Sequence, residues 1–132
     1  MKKMNLTPEE TAEAVDILNG LETLQVRCHF DSRAAGWWDT PVTEETVPTK
    51  LCLIHSEISE AMEGARKDLD DDHLPTRTML EVELADAVIR IMDLAGAIGL
   101  DIGGAVLEKL AYNRQRADHK RENRVVKGGK KF

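Results

Sequence analysis

Apolar residues recur along this chain at spacings of three and four, the mark of helices with one buried face. From about Thr49 to Lys67, Leu51, Ile54, Ile58, Ala61, Met62 and Ala65 share such a face. From about Thr76 to Ile98, Leu80, Leu84, Ala87, Val88, Ile91, Ala95 and Ile98 share another. An earlier helix opens at TPEE, where Thr7 can cap, Pro8 suits the first turn and Glu10 completes a capping box. Leu18, Leu21, Leu24 and Cys28 carry its face to about His29. A last helix follows Gly99, placed as a C-cap, and Asp101, placed as an N-cap, and carries Ile102, Val106, Leu110 and Ala117. The pattern predicts helices over 8–29, 49–67, 76–98 and 101–118, with no convincing strand and no internal repeat. Amphipathic helices with mostly short links predict an all-α, four-helix-bundle-like fold.

The connections refine this picture. FDSRAAGWWDTPVTEETVP is long, and loops of that length are often functional. DLDDDHLPTR is a polar link, and DHKRENRVVKGGKKF reads as a flexible basic tail from about residue 119 of a single domain spanning 1–132. The chain carries 24 acidic and 18 basic residues, a net charge of -6, which argues against a nucleic-acid polymer as partner. It lacks the continuous apolar run of a membrane span. MKKMNLTPEE begins like a signal peptide but turns acidic before any apolar segment, and Cys28 and Cys52 have neither metal nor redox spacing. Free thiols and a cytoplasmic location are therefore expected.

The chemistry lies where the helical pattern is violated. Leu53, Glu57, Glu60 and Gly64 form a row at the edge of the second apolar face. In the third helix Glu83 sits between Leu80 and Ala87, and Asp86 lies three residues on, in the row of Met79, Val82 and Ile89. A single acidic pair would read as solvated boundary residues. Two pairs on successive core helices bring four carboxylates together if the helices pack, and desolvated like charges need compensation. A hard divalent cation supplies it, and oxygen-only ligation favours Mg²⁺ or Mn²⁺ over zinc. In the last helix Lys109, Asn113, Arg116 and Lys120 follow at i, i+4, i+7 and i+11 as one polar stripe able to hold phosphate oxygens, or simply a basic exposed face near a helix C-terminus.

EISE, from Glu57 to Glu60, followed after 22 intervening residues by ELAD, from Glu83 to Asp86, resembles the ExxE…ExxD signature of the MazG-like all-α nucleoside triphosphate pyrophosphohydrolase superfamily. That superfamily includes helical dUTPases, dCTP pyrophosphatases and phosphoribosyl-ATP pyrophosphatase. KLAYNRQR is similar to its K…N…R/K element, with Lys109, Asn113 and Arg116 in the matching places. The resemblance covers roughly Lys50 to Arg116, about half of the chain. It implies a MazG-type fold in which Glu57, Glu60, Glu83 and Asp86 bind Mg²⁺. It also implies hydrolysis of a (d)NTP to (d)NMP and pyrophosphate by water attack at the α-phosphate. Glu60, with Glu57 beside it, is then the expected catalytic carboxylate, orienting or deprotonating the water. Because family sites are often completed by a neighbouring subunit, a homodimer or homotetramer is expected. Apolar residues off the main faces, such as Val15, Leu53 and Met92, point the same way.

Several other residues join the candidate list. Trp37 and Trp38, adjacent in the long loop, can stack on a base or plug one end of the bundle. His29 is a candidate base contact. His55 falls with Leu51, Ile58 and Met62 and reads as a core or interface histidine. Asp68 to Asp72 read as a solvated loop able to bind a cation, and Asp93, a heptad after Asp86, reads first as a surface residue and second as an extension of the metal site. Three other functions compete. A di-iron carboxylate bundle needs Glu-x-x-His motifs, and none of the four histidines follows a glutamate at that spacing. Phosphoribosyl-ATP hydrolysis is the runner-up substrate within the resemblance. A non-enzymatic helical adaptor or regulator would leave the acidic pairs unexplained.

Overall fold

In a computed structural model that describes residues 7–131, the chain is all helical. The helices are α1 (Pro8–Ala34), α2 (Thr46–Lys67), α3 (Met79–Ile98), α4 (Ile102–Gln115) and a short α5 (Arg121–Arg124), with a 3-10 turn at Ala117–His119 between the last two. Among the described residues there is no strand, only an isolated bridge between Asp70 and Thr78, and no helix is long and apolar enough to cross a membrane. The leading MKKMNL lies outside the described residues. Two compact units form, one of Thr23–Leu100 and the other of the flanking segments.

Helix termini follow their capping chemistry more closely than their apolar periodicity. Thr7 and Glu10 form the expected box. Yet α1 runs on to Ala34 rather than stopping near His29, because nothing breaks it before Gly36, which adopts φ 83°. Arg27 and Asp31 pair along this extension. α2 starts at Thr46, three residues before Thr49, because Pro48 fits within the first turn. α3 starts at Met79 rather than Thr76, since Thr78 and Glu81 form a capping box there. Arg77 is held back in the connection by backbone hydrogen bonds to Leu74 and Asp71. Gly99 and Asp101 cap as expected, the first in the left-handed region with its N–H on the Ala95 carbonyl, the second accepting from the Gly104 N–H.

In the Thr23–Leu100 unit, α2 and α3 form an antiparallel hairpin, with Gly64 beside Met79 and Glu57 beside Arg90. A Cβ at Gly64 would lie 2.8 Å from the Met79 side chain, so only glycine permits this approach. The seam is lined by Glu57, Ala61 and Gly64 of α2 and by Glu83 and Ala87 of α3, all buried. This reverses the apolar assignment. Leu51, Ile58, Met62 and Ala65, and on α3 Leu80, Leu84, Val88, Ile91 and Ile98, are exposed, with Ile58 at 47% and Met62 at 61%. Only the small members of each row, Ala61, Ala87 and Ala95, are buried as expected, while Ile54 is half-buried. A close seam admits small side chains and leaves the branched ones outside. His55 is likewise exposed, and Met92, placed off the main faces, is buried.

The connection from Asp68 to Thr78 is closed rather than loose. Asp71 is buried, and its Oδ1 accepts the N–H groups of His73 (2.9 Å) and Leu74 (2.6 Å). In the flanking unit α4 stops at Gln115, so the polar stripe is interrupted: Arg116 is extended and Lys120 lies beyond the helix. The Arg116 guanidinium is captured by both oxygens of Asp118, which Lys130 also contacts at 2.9 Å. The expected tail thus carries local structure up to that ion pair. Half-buried Ile102, Leu107 and Ala111 form the inward row of α4, whereas Val106 and Leu110 are exposed.

Candidate metal centre and the cleft beside it

Each residue on an α-helix is turned by roughly 100° from the last. Counted from the seam residues Glu57 and Glu83, positions three further on, Glu60 and Asp86, turn to one side of the hairpin. Positions one further on, Ile58 and Leu84, turn to the other. In an antiparallel pair both acidic positions therefore share one side and both apolar rows the opposite side. One oxygen each from Glu57, Glu60 and Glu83 lies within 4.8 Å of the others. Glu57 (6% exposed) and Glu83 (8%) are buried, Glu60 is exposed, and Asp86 is half-buried outside this trio.

Such a cluster is tolerated through a proton and an arginine. Burial, a hydrogen bond to Glu57 and the charges of Glu60, Glu57 and Asp86 push the Glu83 carboxyl up to about 7. The Glu83 carboxyl therefore keeps its proton further towards neutral pH than an ordinary glutamate. Burial and the Glu57 charge also raise Asp86, while Arg90 opposes that shift. The Arg90 Nε donates to Glu57 Oε1. Arg90 was not singled out in the sequence, although it lies four residues after Asp86 and seven after Glu83, on the same side of α3.

A second buried carboxylate lies further along α3. Asp93 is 7% exposed rather than a surface residue. Its Oδ1 accepts from Trp38 Nε1 (2.8 Å) and contacts His29 Nδ1 (2.9 Å). Its Oδ2 accepts from Ser32 Oγ (2.9 Å) and lies 3.9 Å from Lys50 Nζ. His29 and Trp38 are thus tied into one network, while Trp37 is 72% exposed. Ser32 continues the inward row of α1 past His29, but as a polar residue it left no apolar signal. A cleft of about 600 Å³ opens here, lined among others by Trp37, Lys50, Asp86, Arg90 and Asp93. Cys28 is buried at its wall, and burial, with the charges of Asp31 and Asp93, raises its thiol pKa.

Lys109, Asn113 and Arg116 belong to the flanking unit. Lys109 lies 4.7 Å and Arg116 5.8 Å from the centre of the Tyr112 ring. The Asn113 Oδ1 is buried without a hydrogen-bond partner. No protein-family profile, curated protein or solved structure matches the chain.

Proposed function

We propose that the protein is a Mg²⁺-dependent nucleoside triphosphate pyrophosphohydrolase of the MazG-like kind, converting a (d)NTP and water to a (d)NMP and pyrophosphate. The observation that carries this reading is the convergence of Glu57, Glu60 and Glu83 on a hairpin whose two helices bear ExxE and ExxD. Their chemistry fits a hard divalent ion. All donors are carboxylate oxygens, and one from each of Glu57, Glu60 and Glu83 lies within 4.8 Å of the others, close enough for small side-chain shifts to gather them on one ion. Mn²⁺ fits the same set.

When bound, the ion supplies Lewis-acid polarisation of the phosphoryl group and acidifies a coordinated water. Glu57, Glu60 and Glu83 would hold it, with Asp86, one turn further along α3, the fourth carboxylate that the resemblance implies. Glu60, the exposed member, orients the attacking water and takes its proton at a carboxylate oxygen, with Glu57 beside it. The water oxygen bonds to the α-phosphorus as the bond to the bridging oxygen breaks and pyrophosphate departs. Lys109, Asn113 and Arg116 are assigned to the phosphates by their resemblance to the family element. Arg116 suits that role chemically, since a guanidinium that grips a carboxylate through two N–H groups grips a phosphate alike.

A second copy of the chain completes the assembly in this reading. The apolar rows of α2 and α3 lie on one side of the hairpin, and no large side chain among the described residues is fully buried. Stacking two such hairpins apolar side to apolar side makes a four-helix core. The test is a panel of ribo- and deoxyribonucleoside triphosphates and phosphoribosyl-ATP with Mg²⁺, reading monophosphate and pyrophosphate. Turnover of at least one member with that product pair is expected. No turnover and no Mg²⁺-dependent rise in Tm would leave a helical adaptor as the better description.

A further inference from the structure

Asp93 takes no part in the acidic trio, yet it is as deeply buried as Glu57. A buried carboxylate needs partners, and this one draws them from three segments: His29 and Ser32 of α1, Trp38 of the connection and Lys50 of α2. The network fixes the Trp38 ring on its edge and on its face. His29 meets it edge-on at 5.6 Å between ring centres, and the Lys50 ammonium sits 4.4 Å over its centre. A peptide unit away, Trp37 is turned out, with most of its indole uncovered, at the wall of the cleft that Asp86 and Arg90 also line. One cleft therefore runs from the acidic side of the hairpin to a free indole. Its volume of about 600 Å³ suits a nucleoside-sized ligand.

We infer that Asp93 is a positioning residue for substrate: by fixing Trp38 and Lys50 it presents the Trp37 indole as a platform for the planar base of a nucleotide whose phosphates lie at Glu57, Glu60 and Glu83. The inference rests on the nucleotide reading above and adds how the base half is held. Asp93 touches no substrate itself, and Trp38 stacks on nothing but the protein.

The experiment measures equilibrium binding of α,β-imido analogues of the common NTPs and dNTPs, with Mg²⁺, to the wild-type protein, Asp93→Asn, Trp37→Ala and the double variant. Mn²⁺ binding to each is followed by electron paramagnetic resonance. Each single change weakens analogue binding about tenfold, the scale of one base–aromatic stack. The double variant loses no more than either alone, because both remove the same contact, and Mn²⁺ affinity is unchanged. Wild-type affinity in Asp93→Asn, or losses that multiply in the double variant, would overturn the inference. Should Asp93→Asn fail to fold, Trp38→Phe carries the test: it keeps an aromatic ring in place but removes the pyrrole half of the indole, with the N–H that reaches Asp93 and Ser32. It weakens binding in the same direction, and unchanged binding would overturn the inference equally. If the wild-type protein binds no analogue and hydrolyses no nucleotide, the nucleotide reading fails and takes the inference with it. If the wild type binds while Asp93→Asn matches it, only the positioning role fails.

Discussion

The two sides of the α2–α3 hairpin differ in what they leave unsatisfied. One side carries Glu60 and Asp86 above a seam that buries Glu57 and Glu83; the other carries Ile58, Met62, Leu84 and Val88 in the open. Charge held together on one side is relieved by a counter-ion, and apolar surface on the other is relieved by a second surface. A single pair of helices thus carries two separate demands, and each can be broken without touching the other.

The largest effect is expected on the acidic side. Glu60→Gln and Asp86→Asn keep the volume and remove a charge, so activity falls by at least about 100-fold, as for loss of a metal ligand or water-orienting carboxylate. Tm without metal holds or rises. Full Mg²⁺-dependent turnover in both variants would reduce the acidic side to a solvated face. On the opposite side, Ile58→Glu or Val88→Glu places a charge in the apolar rows. Light scattering should then give the mass of one chain, 14.7 kDa, where the wild type gives a multiple. A wild-type protein already monomeric at micromolar concentration would sink the second-copy proposal.

Smaller effects sharpen the acidic side further. Arg90→Ala leaves Glu57 buried without its cation, which costs about 3 kcal/mol in the metal-free protein. Added Mg²⁺ should recover much of it. Urea unfolding with and without Mg²⁺ reads both, and a loss indifferent to the metal would separate Arg90 from the cluster. The pH dependence is subtler. Glu83 is raised to about 7 from an ordinary 4.5, so between those values the folded state binds more protons than the unfolded one. Metal-free stability therefore falls as pH climbs through that window, by roughly 2 kcal/mol. Glu83→Gln reduces the slope, leaving the part that the raised Asp86 carboxyl contributes. A wild-type protein that grows more stable over the same range would contradict the raised Glu83 carboxyl.

Sequence patterning identified the helices because apolar periodicity and caps agreed at Thr7, Gly99 and Asp101. It misjudged which face of α2 and α3 is buried, and the reason is physical. Periodicity reports where large apolar side chains cluster, not what covers them. Here the closest contact is made by Ala61, Gly64 and Ala87, residues with almost no weight in such a pattern. The acidic trio was legible because four acids at ExxE and ExxD spacing contradicted the apolar rows. Arg90 and Asp93 were not, since a charge on an amphipathic helix carries no sign of burial. Trp38 was read with Trp37 as one pair, but only the partners of its N–H distinguish the two indoles.

Asp71 sets an order of events as well as a turn. By gathering the N–H groups of His73 and Leu74, its side chain closes the connection within a few residues. The ends of α2 and α3 are then joined through Leu69 and Met79 before any distant segment need arrive. Contacts between neighbours in sequence form at small loop-closure cost, and chains rich in them fold fast. The hairpin is therefore the expected nucleus, with the part of α1 from Thr23 onward condensing onto it later. Asp71→Ala should slow folding while leaving unfolding nearly unchanged. A change confined to the unfolding limb of the chevron would place closure of this connection after the rate-limiting step.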